Sequence, residues 1–181
     1  MELITQDVRK MIKFLKIIIT ILIISPKVLM SADMSGYLLN KAIEEFNNKN
    51  YESAYKSLTD IAPTGNPVAT YLLGQMSLKG LGIEPNYKIA YDKILYSSQK
   101  LFKHDKSLAI ESQITLSNMY ANGIGTDIDE SKAYMWSFIA YKTSENIHLT
   151  YLESLQSSIS AEDIKNIEEK GLRLLKNIIK D

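Results

Sequence analysis

The strongest constraint on how this chain folds is internal. Leu73, Gly74, Gln75, Met76, Ser77, Leu78, Lys79, Gly80, Leu81 and Gly82 return as Leu116, Ser117, Asn118, Met119, Tyr120, Ala121, Asn122, Gly123, Ile124 and Gly125, an offset of 43 residues from Gly80 to Gly123. At the same offset Asn86 falls on Asp129, Ala90 on Ala133 and Tyr91 on Tyr134. A repeat of this length marks one supersecondary unit that cannot bury its own apolar face and must stack on its neighbours.

Each unit reads as a helix, a tight Gly-x-Gly turn and a second helix. Ala69, Leu72, Leu73, Met76 and Gly80 in the first unit, and Ser112, Leu116, Met119 and Gly123 in the second, recur at helical spacing and predict one buried face per helix. Gly80 and Gly123 stand where a helix ends in the left-handed conformation, with Gly82 and Gly125 keeping the reversal compact. Asn86 and Asp129 occupy the N-cap of the second helix, and small Ala90 and Ala133 let the two helices approach.

Upstream, Ala42, Phe46, Tyr51, Ala54, Leu58, Ile61 and Ala62 describe a more divergent pair joined at residues 47–50 and closed by Pro63 and Gly65. Downstream, Ser160 and Asp163 form a capping box for a final helix with Ile164, Ile167, Leu172, Leu175 and Ile178 or Ile179 as its apolar face. The fold expected is therefore all-α: a right-handed α-solenoid of tandem antiparallel helix pairs at about 37–62, 67–103 and 107–142, with a C-terminal capping helix within 145–180. The composition suits it, with 45% hydrophobic and 23% charged residues and only four Pro and eight Gly. A chain of 181 residues buries roughly two thirds of its unfolded surface and needs no staple.

The first 32 residues read differently. Arg9, Lys10, Lys13 and Lys16 precede the apolar run Ile17–Ile24, followed by small Ser31 and Ala32, the layout of a signal peptide cut after Ala32. An uncleaved N-terminal membrane anchor is the alternative, and Met11 competes with Met1 as the start. The expected location is accordingly exported, periplasmic or secreted, or anchored to the inner membrane by this segment, with the repeat domain in residues 35–181.

Several chemistries find no support in the residues. Lys plus Arg equals Asp plus Glu at 21 each, so no basic surface is offered to a phosphate backbone and nucleic acid is not an expected partner. Beyond residue 32 the balance is 16 basic against 19 acidic residues. The chain has no Cys, which removes thiolate nucleophiles and metal sites. Its Gly-x-Gly pairs follow no strand and precede no Gly-Lys-Ser/Thr, unlike a phosphate loop. Asp127, Asp129 and Glu130 lack the Gly and distant Glu of a calcium loop. His104 and His148 have no partner at ligand spacing, and adjacent carboxylates such as Glu44 and Glu45, or Glu168 and Glu169, point to different sides of a helix and cannot flank one bond. No catalytic residue, metal or cofactor is expected, and Tyr91, Tyr134 and Trp136 read as core between pairs.

The repeat resembles the Sel-one-like family, relatives of tetratricopeptide repeats, whose pattern runs Leu-Gly-x-x-Tyr-x-x-Gly-x-Gly-Val-x-x-Asp-x-x-Lys-Ala-x-x-Trp. Leu116, Tyr120, Gly123, Gly125, Asp129, Lys132, Ala133 and Trp136 match in the second unit, and Leu73, Gly74, Gly80, Gly82, Ile83 and Ala90 in the first. The departures are Ser117 for Gly, Thr126 for Val, Ser77 for Tyr, Asn86 for Asp, Ile89 for Lys and Lys93 for Trp. The period exceeds the ~34 residues of a tetratricopeptide unit, and the surplus is expected to extend the second helix around residues 96–106. The resemblance covers most of residues 37–180. It implies a non-catalytic adaptor that gathers a protein or peptide partner on the concave face of a superhelix, the bacterial members being often exported. An envelope hydrolase or cell-wall enzyme, and a membrane-anchored structural protein, are the competing functions.

Stacking leaves the outer face of each first helix lining the concave side. Tyr71, Gln75, Leu78, Ile114, Asn118 and Asn122 are the expected partner-binding residues, the amides bonding an extended peptide and the others supplying apolar contact.

Overall fold

The computed structural model describes residue 13, residues 34–144 and residues 149–180. The chain divides into two compact units, Met1–Lys41 and Ala42–Asp181. In the first, the described residues, 13 and 34–41, are helical. The signal-like segment and the expected cut after Ala32 lie outside the described residues, Lys13 excepted. Among the described residues no helix is long and apolar enough to cross a membrane.

The second unit is all-α, with no strand among its described residues. It begins with α1 (residues 42–47) and a turn in which Lys49 takes a φ of 62°. Then come α2 (Tyr51–Ile61), a 3-10 turn (Ala62–Thr64), α3 (Pro67–Lys79), α4 (Tyr87–Lys100) and a second 3-10 turn (Leu101–Lys103). The chain continues with α5 (Lys106–Asn122), α6 (Glu130–Thr143), α7 (Leu149–Gln156) and α8 (Ala161–Lys180). α3 packs along α4 and α5 along α6, α4 joins the two pairs through α5, and α8 closes the stack on α6.

Local chemistry sets the boundaries. Asn66, Asn86, Asp105 and Asp129 each cap a helix, their side chains accepting from Val68 and Ala69, Ile89, Leu108 and Lys132 amides respectively. Pro67 fills the first position of α3, where its missing N–H is no loss. Gly80 and Gly123 end α3 and α5 with φ of 67° and donate their amides to Met76 and Met119 carbonyls.

The second glycine of each turn does more than keep the reversal compact. A Cβ at Gly82 (φ +71°) would come within 2.7 Å of the Tyr51 Cβ, and one at Gly125 (φ +72°) would strike the Tyr87 carbonyl. Each inter-helix turn therefore rests on the first turn of the preceding pair's second helix, and this contact sets the stacking register.

Two expectations need correction. The surplus over a tetratricopeptide unit does not lengthen the second helix: α4 stops at Lys100, because Leu101–Lys103 tightens into the 3-10 turn and Asp105 caps a new helix. The extra residues lie in that turn and in α5, which at 17 residues outruns the 13 of α3. In α8, Ile167, Gly171 and Ile178 form the buried line and Ile164 and Leu175 are half-buried, whereas Leu172 is 49% exposed and Ile179 46% exposed. Leu172 sits five residues past Ile167, about 140° round the helix, so it cannot share that face. Ser160 does cap α8, accepting from the Asp163 amide at 3.1 Å while donating to its carboxylate at 2.7 Å.

The core follows the repeat. Ala54, Ala90 and Ala133, equivalent positions of α2, α4 and α6, are completely buried, as are Leu58, Ile94, Leu116 and Ile139. Tyr134, Phe138, Leu152 and Ile167 form the cluster that seals the C-terminal end.

Candidate functional site

The six expected partner-binding residues fall into two groups. Tyr71 and Gln75 are buried, at 1% and 4% exposure, and do not line an open face. Gln75 Nε2 donates to the Tyr71 hydroxyl at 3.0 Å. Burial, and then the Glu111 carboxylate of α5, push the Tyr71 phenol well above its ordinary pKa. These two residues therefore belong to the contact between α3 and α5, and a reading of one buried stripe per helix missed this because α3 is enclosed on nearly all sides. Leu78 and Ile114 are half-buried, and Asn118 and Asn122 are exposed. The two asparagines hydrogen-bond each other along α5, Asn122 Nδ2 donating to the Asn118 carbonyl at 3.0 Å and to its side-chain oxygen.

Other polar groups hold the stack together. The Tyr91 and Tyr120 hydroxyls lie 2.7 Å apart, with the rings edge to face at 5.7 Å. Lys132 sits over the Tyr120 ring at 5.2 Å while pairing with Asp129 at 2.9 Å. Burial first, then the bond to Tyr91, raise the Tyr120 pKa. Burial would raise that of Asp129, but the Lys132 ammonium and the Lys132 and Ser131 amides outweigh it and hold the carboxyl below its usual range. Tyr134 donates to Glu168 at 2.9 Å and accepts from Gln156 Nε2 at 3.0 Å. Glu168 thus ties α8 to α6.

Sequence reasoning did not find the groove between α2 and α4. It encloses about 550 Å³ over α3, with Tyr55, Leu73, Ser77, Glu84, Ile89 and Lys93 among its walls. The signal was present in the departures from the repeat pattern, since Ser77 and Lys93 are two of them.

Among the described residues no group of three His, Asp or Glu side chains could hold a metal ion. His104 is exposed, and His148 lies outside the described residues.

The stacked pairs superpose on solved helical-repeat proteins. A protective antigen of uropathogenic Escherichia coli displaying an SLR fold matches with a TM-score of 0.70 at 18% identity, over 82% of this chain and 32% of its own. A Sel1 repeat protein from Oxalobacter formigenes matches with a TM-score of 0.55 at 23% identity, over 77% of this chain and 54% of its own. The chain has the Sel1-like repeat (SLR) fold. No family model and no curated protein sequence matches it. The chain spans about a third of the first SLR structure and about half of the second.

Within the SLR fold the departures from the repeat pattern take on structural meaning. Ser117, in place of Gly, donates to the Ala133 carbonyl at 2.6 Å across the pair, whereas a Cβ at the equivalent Gly74 would lie 2.9 Å from Ile94 Cδ1. Ser77 and Lys93 replace the bulky Tyr and Trp that Tyr120 and Trp136 supply one unit later, and both border the groove.

Proposed function

We propose that this chain is an SLR adaptor that holds a polypeptide partner and catalyses no reaction of its own. The observation that carries this reading is the open part of the α3 and α5 row. Asn118 and Asn122 are exposed beside half-buried Ile114, with Leu78 half-buried on α3, so amide donors and acceptors stand next to apolar surface on a rigid helical frame. Tyr71 and Gln75 support that frame from beneath. The fold adds weight, since solenoids of this kind work through extended surfaces built from neighbouring repeats.

We further propose that the chain is exported, on the order of basic and then apolar residues from Arg9 to Ile24. Edman sequencing or intact mass of the mature protein tests this: a start near Asp33 supports cleavage, and an intact N-terminus in the membrane fraction supports the anchor.

The adaptor reading is tested by affinity capture from native cells with wild-type chain and with the Leu78→Asp/Asn118→Arg double variant. Loss of a specific partner by tenfold or more, with helix content unchanged, is the expected result. An unaltered partner set contradicts these residues as the binding surface.

A further inference from the structure

We propose that the groove between α2 and α4 receives a tyrosine side chain presented by the polypeptide partner. The inference rests on the adaptor reading above and names the chemistry of what is held.

Three tyrosines are equivalent. Tyr55, Tyr91 and Tyr134 each follow a helix N-cap, Asn50, Asn86 and Asp129, by five residues, and so stand at one position of α2, α4 and α6. Two of them are engaged by the unit that follows. Tyr91 receives the Tyr120 ring edge-on and bonds its hydroxyl, and Tyr134 is bonded by Glu168 and Gln156. The hydroxyl of Tyr55 makes no hydrogen bond within the described residues, and its ring borders the groove.

The reason lies 22 residues on, in the next first helix. Where α5 carries Tyr120, α3 carries Ser77, whose hydroxyl turns back to the Leu73 carbonyl at 2.9 Å. Where α6 carries the buried Trp136, α4 carries Lys93. Two large rings of one junction are thus a hydroxymethyl and a flexible amine in the other, and the space between is the groove. Its 550 Å³ falls in the range of small-ligand sites.

The second junction shows what this geometry accommodates: a phenol, edge-on to the tyrosine of the preceding helix, with a lysine over its face. An incoming tyrosine ring would meet the Tyr55 ring and hydroxyl as Tyr120 meets Tyr91, against apolar Leu73 and Ile89. The Lys132 position is Ile89 in this unit, and the cation that borders the groove is Lys93, one turn further along α4 at the Trp136 position. Lys93 and Glu84 make no ion pair among the described residues, so both remain to bond the backbone carrying the ring.

The experiment is titration of the isotope-labelled full chain with N-acetyl-tyrosinamide, N-acetyl-phenylalaninamide and N-acetyl-leucinamide, read by NMR shifts. Saturable shifts at the Leu73 and Ile89 methyls are expected with the tyrosine amide, and binding at least tenfold weaker with the leucine amide. Ser77→Tyr, which restores the second unit's residue, should abolish binding, and Lys93→Trp does the same if the first variant loses helix content. Tyr55→Phe should remove the preference for tyrosine over phenylalanine. Equal binding by the leucine amide, or binding unchanged in Ser77→Tyr, overturns the assignment. Absence of probe binding in a protein whose partner capture still depends on Asn118 overturns the groove alone. Tyr55-dependent probe binding by a protein that captures no partner overturns the adaptor reading and, with it, the polypeptide source.

Discussion

The Tyr91 hydroxyl lies 2.7 Å from the Tyr120 hydroxyl, and their rings meet at 87°, tying the second helix of one pair to the first helix of the next. A partly buried hydrogen bond of this kind contributes about 1 kcal/mol net. Tyr91→Phe and Tyr120→Phe should each destabilise the chain by about that amount, and the double variant by little more than either. Urea denaturation of the four proteins checks this, and fully additive losses would show that the hydroxyls do not act on each other.

Gly125 sets the register of the stack. Gly125→Ala places a Cβ against the Tyr87 carbonyl at a φ of +72°, so unfavourable backbone and overpacking together should cost about 2–4 kcal/mol. Gly36, helical and with no atom within 4 Å of an added Cβ, provides the control, where Ala should gain about 0.5–1 kcal/mol. Thermal unfolding distinguishes them, and equal effects would contradict the proposed stacking contact.

Asp129 links a helix cap to pH. Its carboxyl is held below the ordinary value in the folded chain, so the folded state binds fewer protons there than the unfolded state. The stability it contributes is complete above the unfolded carboxylate pKa of about 3.9 and is lost as pH falls through the lower folded value. Asp129→Ala should cost about 1 kcal/mol at pH 7, and the gap from wild type should close below about pH 4. A gap that persists in acid would assign the loss to something other than the charged cap.

At the alkaline end the sign reverses. Tyr71, Tyr120 and Tyr134 have raised pKa values, burial being the largest cause in each. Their contribution is intact below the unfolded phenol pKa of about 10 and declines as pH rises toward the folded values. Absorbance at 295 nm followed with circular dichroism should show these phenols among the eleven tyrosines ionising only as helix is lost. Tyr71→Phe should make the fall of stability above pH 10 shallower, whereas ionisation of every phenol with helix intact would contradict the burial account.

Most of the repeat was legible because its signals are local. Asn86 and Asp129 cap the helices that follow them, Gly80 and Gly123 end theirs in the left-handed region, and Ala90 and Ala133 are buried where helices approach. What escaped depends on neighbours far along the chain. Tyr71 and Gln75 were misplaced because amphipathic reading assumes solvent on one side of a helix, and α3 has little. The Gly82 and Gly125 contacts belong to the preceding pair, and the groove appears only when Ser77 and Lys93 are compared with Tyr120 and Trp136 in space. Leu172 was misassigned because adjacent apolar residues in α8 leave two stripes open to choice.

The central claim is that stacked helix pairs present their exposed first-helix row to a partner polypeptide. Site-specific photocrosslinking in native cells tests it most directly, with p-benzoylphenylalanine replacing Asn118 and, as control, Lys176 on the exposed side of α8. A discrete protein adduct from position 118 that is absent from position 176 is the result predicted. No adduct from position 118, or the same adducts from both positions, would contradict the account.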